Sequence, residues 1–149
     1  MPIFLKEQEI IETINNHLVT LICGETGSGK STQIGQFLIE KNYHQFGKVV
    51  ITQPRRLATI ALASRVAEET HTILGQTVGY QVRHDRKDSS NTIIKYMTDG
   101  ILLNEMSSDY LLSSYSVIVI DEAHERKVNT DILIGLLSKL VLLRYKLSL

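Results

Sequence analysis

The sequence contains one cysteine, two prolines and no tryptophan among 149 residues. A lone cysteine, Cys23, excludes an internal disulfide framework and suits a reducing compartment. No apolar run reaches the roughly 18 residues that a membrane-spanning helix needs, and the amino terminus lacks a signal-peptide pattern. We therefore expect a soluble intracellular chain without a membrane partner.

An excess of positive charge is also missing. Lysine and arginine together number 16, aspartate and glutamate also number 16, and the formal net charge is zero. No basic field covers the whole molecule, so nucleic-acid binding would require a local basic patch. The length and an apolar fraction of 43% predict one domain, which buries most of its apolar surface.

A glycine-rich segment stands out from this background. It fits the pattern G-x-x-x-x-G-K-[ST] and reads Gly24-Glu25-Thr26-Gly27-Ser28-Gly29-Lys30-Ser31-Thr32. The apolar run 18–23 before it predicts a strand, which would bury Cys23 as a small side chain rather than expose a reactive thiol. Residues 33–40 after it predict a helix.

Strand, glycine loop and helix form the setting of a phosphate site, because backbone N–H groups and a helix N-terminus converge there. Lys30 would supply a cation for the outer phosphates. Ser31 would supply a hydroxyl oxygen for Mg²⁺, which prefers oxygen ligands. The alternative to a phosphate site is a flexible glycine turn without a ligand. The pattern in its context predicts binding of a nucleoside triphosphate.

Helical and strand patterns alternate along the rest of the chain. We predict strands at 48–52, 77–82, 92–97 and 116–120, and helices at 5–16, 33–42, 57–70, 100–107 and 130–143. Such alternation predicts an α/β fold with a mainly parallel sheet covered by helices on both faces. Ligands of these sheets bind beyond the carboxyl ends of the strands, where the polar motifs of this sequence lie.

Two adjacent carboxylates follow the apolar strand 116–120. Asp121 is suited to the Mg²⁺ shell, and Glu122 is suited to orient or deprotonate an attacking water. As an alternative, an acidic pair after a strand can simply mark the start of a helix, where the helix dipole favours negative charge. The phosphate loop upstream favours the catalytic interpretation.

Four motifs in order closely resemble the DEAH-box RNA helicases. They are the loop 24–31, Thr52-Gln53-Pro54-Arg55-Arg56, Thr98-Asp99-Gly100 and Asp121-Glu122-Ala123-His124-Glu125-Arg126. The resemblance covers nearly the whole chain and implies a RecA-like domain that uses ATP and Mg²⁺ and acts on RNA. The Cys-Gly-Glu-Thr-Gly start of the loop is most similar to the ribosome-biogenesis branch, which implies the nucleus or nucleolus.

The resemblance also implies roles for individual residues. Arg55, Arg56 and Thr98 match contacts to the RNA backbone, although Arg55 and Arg56 could also be a solvated helix start. Arg65 matches the arginine that stacks on adenine, with an exposed helix arginine as the alternative. His124 matches the residue that links hydrolysis to interdomain motion. Residues 83–87 match a hairpin turn near RNA, and a polar loop is an equal alternative.

The sequence departs from the family pattern at a few places. Ser31 stands where threonine is usual, which keeps the hydroxyl, and Lys127-Val128 replaces Ser or Thr followed by Leu. The Ser-Ala-Thr motif and the second RecA domain with its arginine fingers are not in the sequence. We therefore expect residues 1–149 to be a fragment, the first RecA-like domain, that works with a second RecA domain, C-terminal domains and an adaptor protein.

Two other functions stay open at this point. One is a P-loop ATPase that is not a helicase, although guanine-specificity and ABC-transporter signatures are absent. The other is a module that binds nucleotide without unwinding activity.

Overall fold

The computed structural model describes residues 2–147, with the side chain of Pro2 left out. Its helices are α1 (Glu7–Asn16), α2 (Lys30–Glu40), α3 (Arg56–Glu69), α4 (Asp99–Ser108) and α5 (Val128–Leu147). Its strands are β1 (Lys48–Thr52), β2 (Val78–Val82), β3 (Asp85–Lys87), β4 (Ile94–Met97) and β5 (Tyr115–Ile120). Short 3₁₀ turns cover Pro2–Lys6, Tyr43–Phe46 and Ala123–Glu125.

The five strands form one sheet in the order β3-β2-β4-β1-β5. The pairs β2–β4, β4–β1 and β1–β5 are parallel, and only β3 runs antiparallel, against β2. The α/β fold with a mainly parallel sheet is confirmed. The antiparallel pair turns at Arg83 and His84, with His84 at a φ of 62°, so the hairpin predicted for residues 83–87 is present.

Helices cover both faces of the sheet because side chains of a strand alternate between its faces. Ile51, Ile94 and Tyr96 point to one face and pack with apolar residues of α1, α2 and α3. Val50 and Met97 point to the other face and pack with α4 and α5. Strand β1 is buried from Val49 to Thr52, as expected of a strand covered on both faces.

The strand predicted at residues 18–23 is wrong. This segment bends at Leu18 and Val19 and forms no strand, and Leu18, Val19 and Leu21 are 55%, 71% and 84% exposed. Cys23 is exposed as well, so its predicted burial is also wrong. A strand needs a neighbour for its backbone groups. Within residues 2–147 no strand pairs with this segment, and β5 ends the sheet with a half-exposed surface.

The strand predicted at 48–52 is confirmed with its ends, and the other predicted elements are confirmed with ends that shift by up to four residues. Helix α2 begins three residues early, at Lys30, because the Gly29 carbonyl before it already accepts a helical hydrogen bond from the Gln33 N–H at 2.9 Å. Helix α5 extends beyond the predicted residues 130–143 at both ends. Among residues 2–147, no helix is long and apolar enough to cross a lipid bilayer.

A buried ionic cluster joins the hairpin to α4. The ammonium of Lys95, on the central strand β4, lies 2.6 Å from the Gln81 amide oxygen, 3.3 Å from Asp88 and 3.4 Å from Glu105. Arg86 also pairs with Asp88, whose side chain is 2% exposed. Burial raises the pKa of Asp88, but Arg86 and Lys95 outweigh burial and hold that pKa below its usual value.

Candidate nucleotide and nucleic-acid site

The loop before α2 folds around one cation. The Lys30 ammonium donates hydrogen bonds to the backbone oxygens of Gly24 and Glu25, the latter at 2.7 Å, and to the Ser28 hydroxyl at 3.1 Å. Gly27 and Gly29 have φ values of 80° and 97°, a conformation that side-chain-bearing residues rarely adopt. The loop thus turns back over the start of α2 and gathers its polar groups around Lys30.

The remaining loop side chains lie at its rim or on the first turn of α2. Glu25 and Thr26 are exposed, so neither side chain blocks the approach to the loop. Thr32 donates its hydroxyl to the Gly29 oxygen at 3.2 Å and stabilises the first turn of the helix. The N-terminus of α2 therefore points into the loop, where its dipole favours an anion.

A buried tyrosine connects this helix to the sheet. Tyr96 on β4 donates its hydroxyl to the backbone oxygen of Ser31 at 3.1 Å. Burial raises the pKa of Tyr96, and the Asp121 and Glu69 carboxylates raise it further, so the hydroxyl stays protonated as a donor. The sequence analysis missed this residue, because a strand tyrosine carries no signal beyond its apolar ring.

Asp121 lies directly beyond β5 and is held by the end of β1. Its backbone N–H donates to the Thr52 oxygen at 3.0 Å, and its carboxylate accepts from the Gln53 amide at 3.3 Å and from the Glu122 N–H at 2.9 Å. Gln53 is 4% exposed, and sequence reasoning missed it as well. Its position in the Thr-Gln-Pro-Arg-Arg segment was the available signal.

The turn after Asp121 has an unusual backbone. Glu122 and Arg126 have φ values of 53° and 52°, and the 3₁₀ turn Ala123–Glu125 lies between them. His124 is 76% exposed at its side chain, and its Nε2 lies 3.2 Å from a carboxylate oxygen of Glu122. A non-glycine residue in this conformation costs free energy that surrounding contacts must offset, and such residues cluster at functional sites.

Arg55 and Arg56 stand exposed where α3 begins. The Arg55 guanidinium lies 2.6 Å from the Glu125 carboxylate, across 70 positions of sequence. Arg56 lies close enough to the Tyr80 hydroxyl to oppose the rise in pKa that burial and Asp85 cause there. Arg55 therefore joins the start of α3 to the turn after β5.

Thr98 lies in a groove of about 710 Å³ at the carboxyl edge of the sheet. The groove is lined from four elements, with contributions from Pro54, Arg83, Thr98, Gly100, Asn104 and Lys127 among others. Arg55 and Arg56 do not line it, so the three predicted RNA contacts are distributed over neighbouring surfaces. Asp99, beside Thr98, is buried and accepts a hydrogen bond from Thr130 of α5.

Arg65 projects from α3 near the loop helix. Its Nε donates to Glu69 at 2.7 Å, and Gln33 and Gln36 of α2 donate to the same carboxylate at 2.7 and 2.9 Å. Burial raises the pKa of Glu69, but these hydrogen bonds outweigh burial and lower it below its usual value. The side chain of Arg65 is 59% exposed, so Glu69 holds one edge of the guanidinium and leaves the rest accessible.

The polar groups of the glycine loop and of Asp121 fit a nucleotide and a hard cation. Lys30, the loop N–H groups and the start of α2 are cationic or hydrogen-bond donating, which suits phosphate oxygens. Ser31 and Asp121 offer oxygen ligands only, as Mg²⁺ prefers. Tyr96 positions Ser31 through the hydrogen bond to its backbone oxygen.

The comparisons with known proteins agree with this geometry. The model of the DEAD/DEAH box helicase family matches residues 6–144. The chain belongs to the DEAD/DEAH box helicase family. This membership agrees with the four motifs and with the α/β architecture described above.

Curated relatives are similar over nearly the whole chain. "ATP-dependent RNA helicase DEAH13" of Arabidopsis thaliana is 53% identical over 97% of the chain, and "Probable ATP-dependent RNA helicase DHR1" of Saccharomyces cerevisiae is 52% identical over 99%. "Probable ATP-dependent RNA helicase DHX37" of Homo sapiens is 48% identical over 100%. The chain spans only 12%, 12% and 13% of the lengths of these three proteins.

Proposed function

We propose that this chain is the ATP-binding domain of an ATP-dependent RNA helicase, which couples ATP hydrolysis to RNA translocation or remodelling. The observation that carries the proposal is the phosphate loop around Lys30 together with Asp121 and Glu122 beyond β5, in a chain of the DEAD/DEAH box family. The similar curated proteins are named as ATP-dependent RNA helicases, which supports the same activity.

The nucleotide is held by the loop. Phosphate oxygens replace the Gly24 and Glu25 carbonyls as partners of the Lys30 ammonium. Loop N–H groups also donate to the polyphosphate, apart from those of Ser28 and Thr32, which donate to Glu25 and Gly29 within the loop. Arg65 stacks its exposed guanidinium on the adenine, while Glu69 fixes its opposite edge. A nucleotide thus bridges α2 and α3, which already share Glu69.

Hydrolysis depends on the residues beyond β5. Ser31, Asp121 and the neighbouring Glu122 would hold Mg²⁺, which supplies charge neutralisation for the phosphates when bound. Glu122 orients the attacking water and takes its proton. His124, exposed and in contact with Glu122, transmits the state of the site to a second domain.

RNA is bound through its backbone. Arg55, Arg56 and Thr98 contact phosphates without reading base identity, since a guanidinium or a hydroxyl at a phosphate carries no sequence information. The zero net charge of the chain supports a local patch rather than a general field. Arg55 and Arg56 are exposed, and Thr98 lies in an open groove, which leaves all three accessible to a strand.

The domain works within a longer protein. Its relatives are about eight times as long as this chain, which supports residues 1–149 as a first RecA-like domain that faces a second one. We further propose a second RecA domain, C-terminal domains and an adaptor protein as partners, and a role in ribosome biogenesis in the nucleus or nucleolus. The loop sequence from Cys23 to Gly27 supports that branch.

A strand-separation assay on the full-length protein tests this proposal. Two labelled RNA duplexes are used, one with a 3′ and one with a 5′ single-stranded extension, with ATP or with a non-hydrolysable analogue. Strand separation that occurs with ATP but not with the non-hydrolysable analogue supports a helicase. ATP hydrolysis that RNA stimulates without separation supports remodelling. If the protein neither separates the strands nor hydrolyses ATP, it is the alternative, a nucleotide-binding module without unwinding activity.

A further inference from the structure

Two turns at the carboxyl edge of the sheet are joined by side chains. One turn follows β1 and carries Gln53 and Arg55, and the other follows β5 and carries Asp121 and Glu125. The proposed RNA contact at Arg55 and the proposed metal ligand Asp121 are therefore linked through specific atoms. The two linking side chains, Gln53 and Glu125, are not themselves among the proposed contacts to RNA, metal or nucleotide.

The first link is a buried amide. Gln53 is 4% exposed; its oxygen accepts from the Arg55 backbone N–H at 3.3 Å, and its nitrogen donates to the Asp121 carboxylate at 3.3 Å. One side chain thus bridges the backbone of Arg55 to a carboxylate at the nucleotide site. A shift of the backbone at Arg55 moves the hydrogen-bond donor of Asp121.

The second link is an ion pair. The Arg55 guanidinium lies 2.6 Å from Glu125, and the side chains are 67% and 15% exposed. The second carboxylate oxygen of Glu125 is buried and accepts no hydrogen bond from residues 2–147. Because Glu125 is largely desolvated and Arg55 is its ion-pair partner among the described residues, its position is sensitive to where Arg55 points. The guanidinium has five N–H donors, so enough remain for a phosphate.

The segment held by these links is strained at both ends. Glu122 and Arg126 take left-handed conformations with φ values of 53° and 52°. Arg126 is fixed by Asp131 of α5, at 2.9 and 3.0 Å, and Glu125 is fixed by Arg55. The turn is therefore held from two sides, by Arg55 at Glu125 and by Asp131 at Arg126.

We propose that Gln53 and Glu125 are positioning residues that couple phosphate contact at Arg55 to the placement of Asp121 and Glu122. A backbone phosphate draws the Arg55 guanidinium, Glu125 and the Arg55 backbone follow, and the carboxylates at the nucleotide site are realigned. The inference rests on the proposed function, because it needs RNA at Arg55 and nucleotide at the phosphate loop.

Linkage makes the proposal measurable. If the two sites are coupled, nucleotide changes RNA affinity by the same factor as RNA changes nucleotide affinity. A purely structural role of Gln53 and Glu125 would lower stability and leave this factor unchanged in the protein that remains folded. The coupling factor therefore separates the two roles.

The experiment measures the dissociation constant of a single-stranded RNA for the full-length protein, with and without a non-hydrolysable ATP analogue. We expect a ratio of about 5- to 150-fold in the unmodified protein, in either direction. In Glu125→Gln and in Gln53→Leu the ratio is expected to fall to within about 2-fold of one. Thermal unfolding with each ligand verifies that the variants are folded and still bind.

Glu7→Gln is the matched control, since Glu7 pairs with Lys41 at 3.6 Å away from both turns, and it should keep the full ratio. The inference is overturned if both test variants keep the ratio of dissociation constants of the unmodified protein, or if that ratio is one in the unmodified protein.

Arg55→Ala distinguishes failure of the coupling from failure of the proposed RNA contact. Weaker RNA binding in Arg55→Ala with an intact ratio in Glu125→Gln refutes the coupling alone. Unchanged RNA binding in Arg55→Ala refutes the proposed RNA contact as well.

Discussion

The hydroxyl of Tyr96, on the central strand β4, donates to the backbone oxygen of Ser31, in the first turn of the loop helix, at 3.1 Å. Tyr96 is fully buried. This hydrogen bond fixes the distance between the N-terminus of α2 and the sheet. The glycine loop 24–32 is therefore positioned by the buried core as well as by its own glycines.

Removal of that hydroxyl should destabilise the domain. Tyr96→Phe keeps the ring but leaves the Ser31 oxygen without this donor, and we expect a loss of about 0.5–1.5 kcal/mol in the free energy of unfolding. Urea unfolding followed by circular dichroism measures it. Tyr110→Phe, at a tyrosine that is 43% exposed, is the control and should be neutral. Equal stability of Tyr96→Phe and the unmodified domain would show that the bond contributes nothing.

The buried Asp88 should make stability depend on pH. Arg86 and Lys95 lower the pKa of Asp88 in the folded state, so its contribution is present above its unfolded value, about 4, and is lost as the pH falls through the folded value. Asp88→Asn is expected to cost on the order of 1–3 kcal/mol at pH 7.

Urea unfolding of both proteins from pH 7 to pH 3 tests this expectation. The difference between them should shrink as the pH falls below about 4, because the Asp88 carboxyl of the unfolded chain begins to bind a proton there while the folded one still resists it. A difference that stays constant over this range would mean that the charge of Asp88 does not stabilise the fold.

Lys30→Ala should weaken nucleotide binding. The substitution removes a charge-assisted contact worth about 1.5–3 kcal/mol, which corresponds to roughly a 10- to 150-fold increase in the dissociation constant. Calorimetric titration with Mg²⁺–ADP measures it. Lys41→Ala, at the other end of the same helix, should bind like the unmodified protein. Equal affinity for Lys30→Ala would remove Lys30 from the phosphate site.

Much of the fold follows from local sequence, and residues 18–23 show where local sequence is insufficient. The apolar run 116–120 became β5 because β1 lies beside it. Residues 18–23 have a similar composition, but within residues 2–147 no strand pairs with them. The β-propensity of a segment depends on its own residues, whereas a strand forms only when a neighbouring strand pairs with it.

The site divides in the same way. The glycine loop, Asp121 and Glu122 could be predicted as site residues from the sequence, because each belongs to a motif of consecutive residues. Gln53 and Glu125 were missed as connecting residues, since their partners lie 68 and 70 positions away and only the sheet order brings the two turns together.

Arg55→Ala or Arg56→Ala should weaken single-stranded RNA binding in the full-length protein equally for unrelated sequences. Each lost phosphate contact is expected to lower the salt slope of binding by about 0.7, with ADP affinity almost unchanged. Titrations at several salt concentrations, on two RNA sequences, measure both quantities. An unchanged slope, or a loss confined to one sequence, would leave these arginines as ordinary surface residues.

The central claim is that this domain couples ATP hydrolysis to RNA, and the rate of ATP hydrolysis by the full-length protein, with and without single-stranded RNA, tests it most directly. We predict a rate that rises with RNA. In Glu122→Gln it should fall by about 10²- to 10⁴-fold while ATP still binds, and in Glu12→Gln, at an exposed position of α1, it should stay normal. A rate that RNA does not change, or full turnover in Glu122→Gln, would contradict the account.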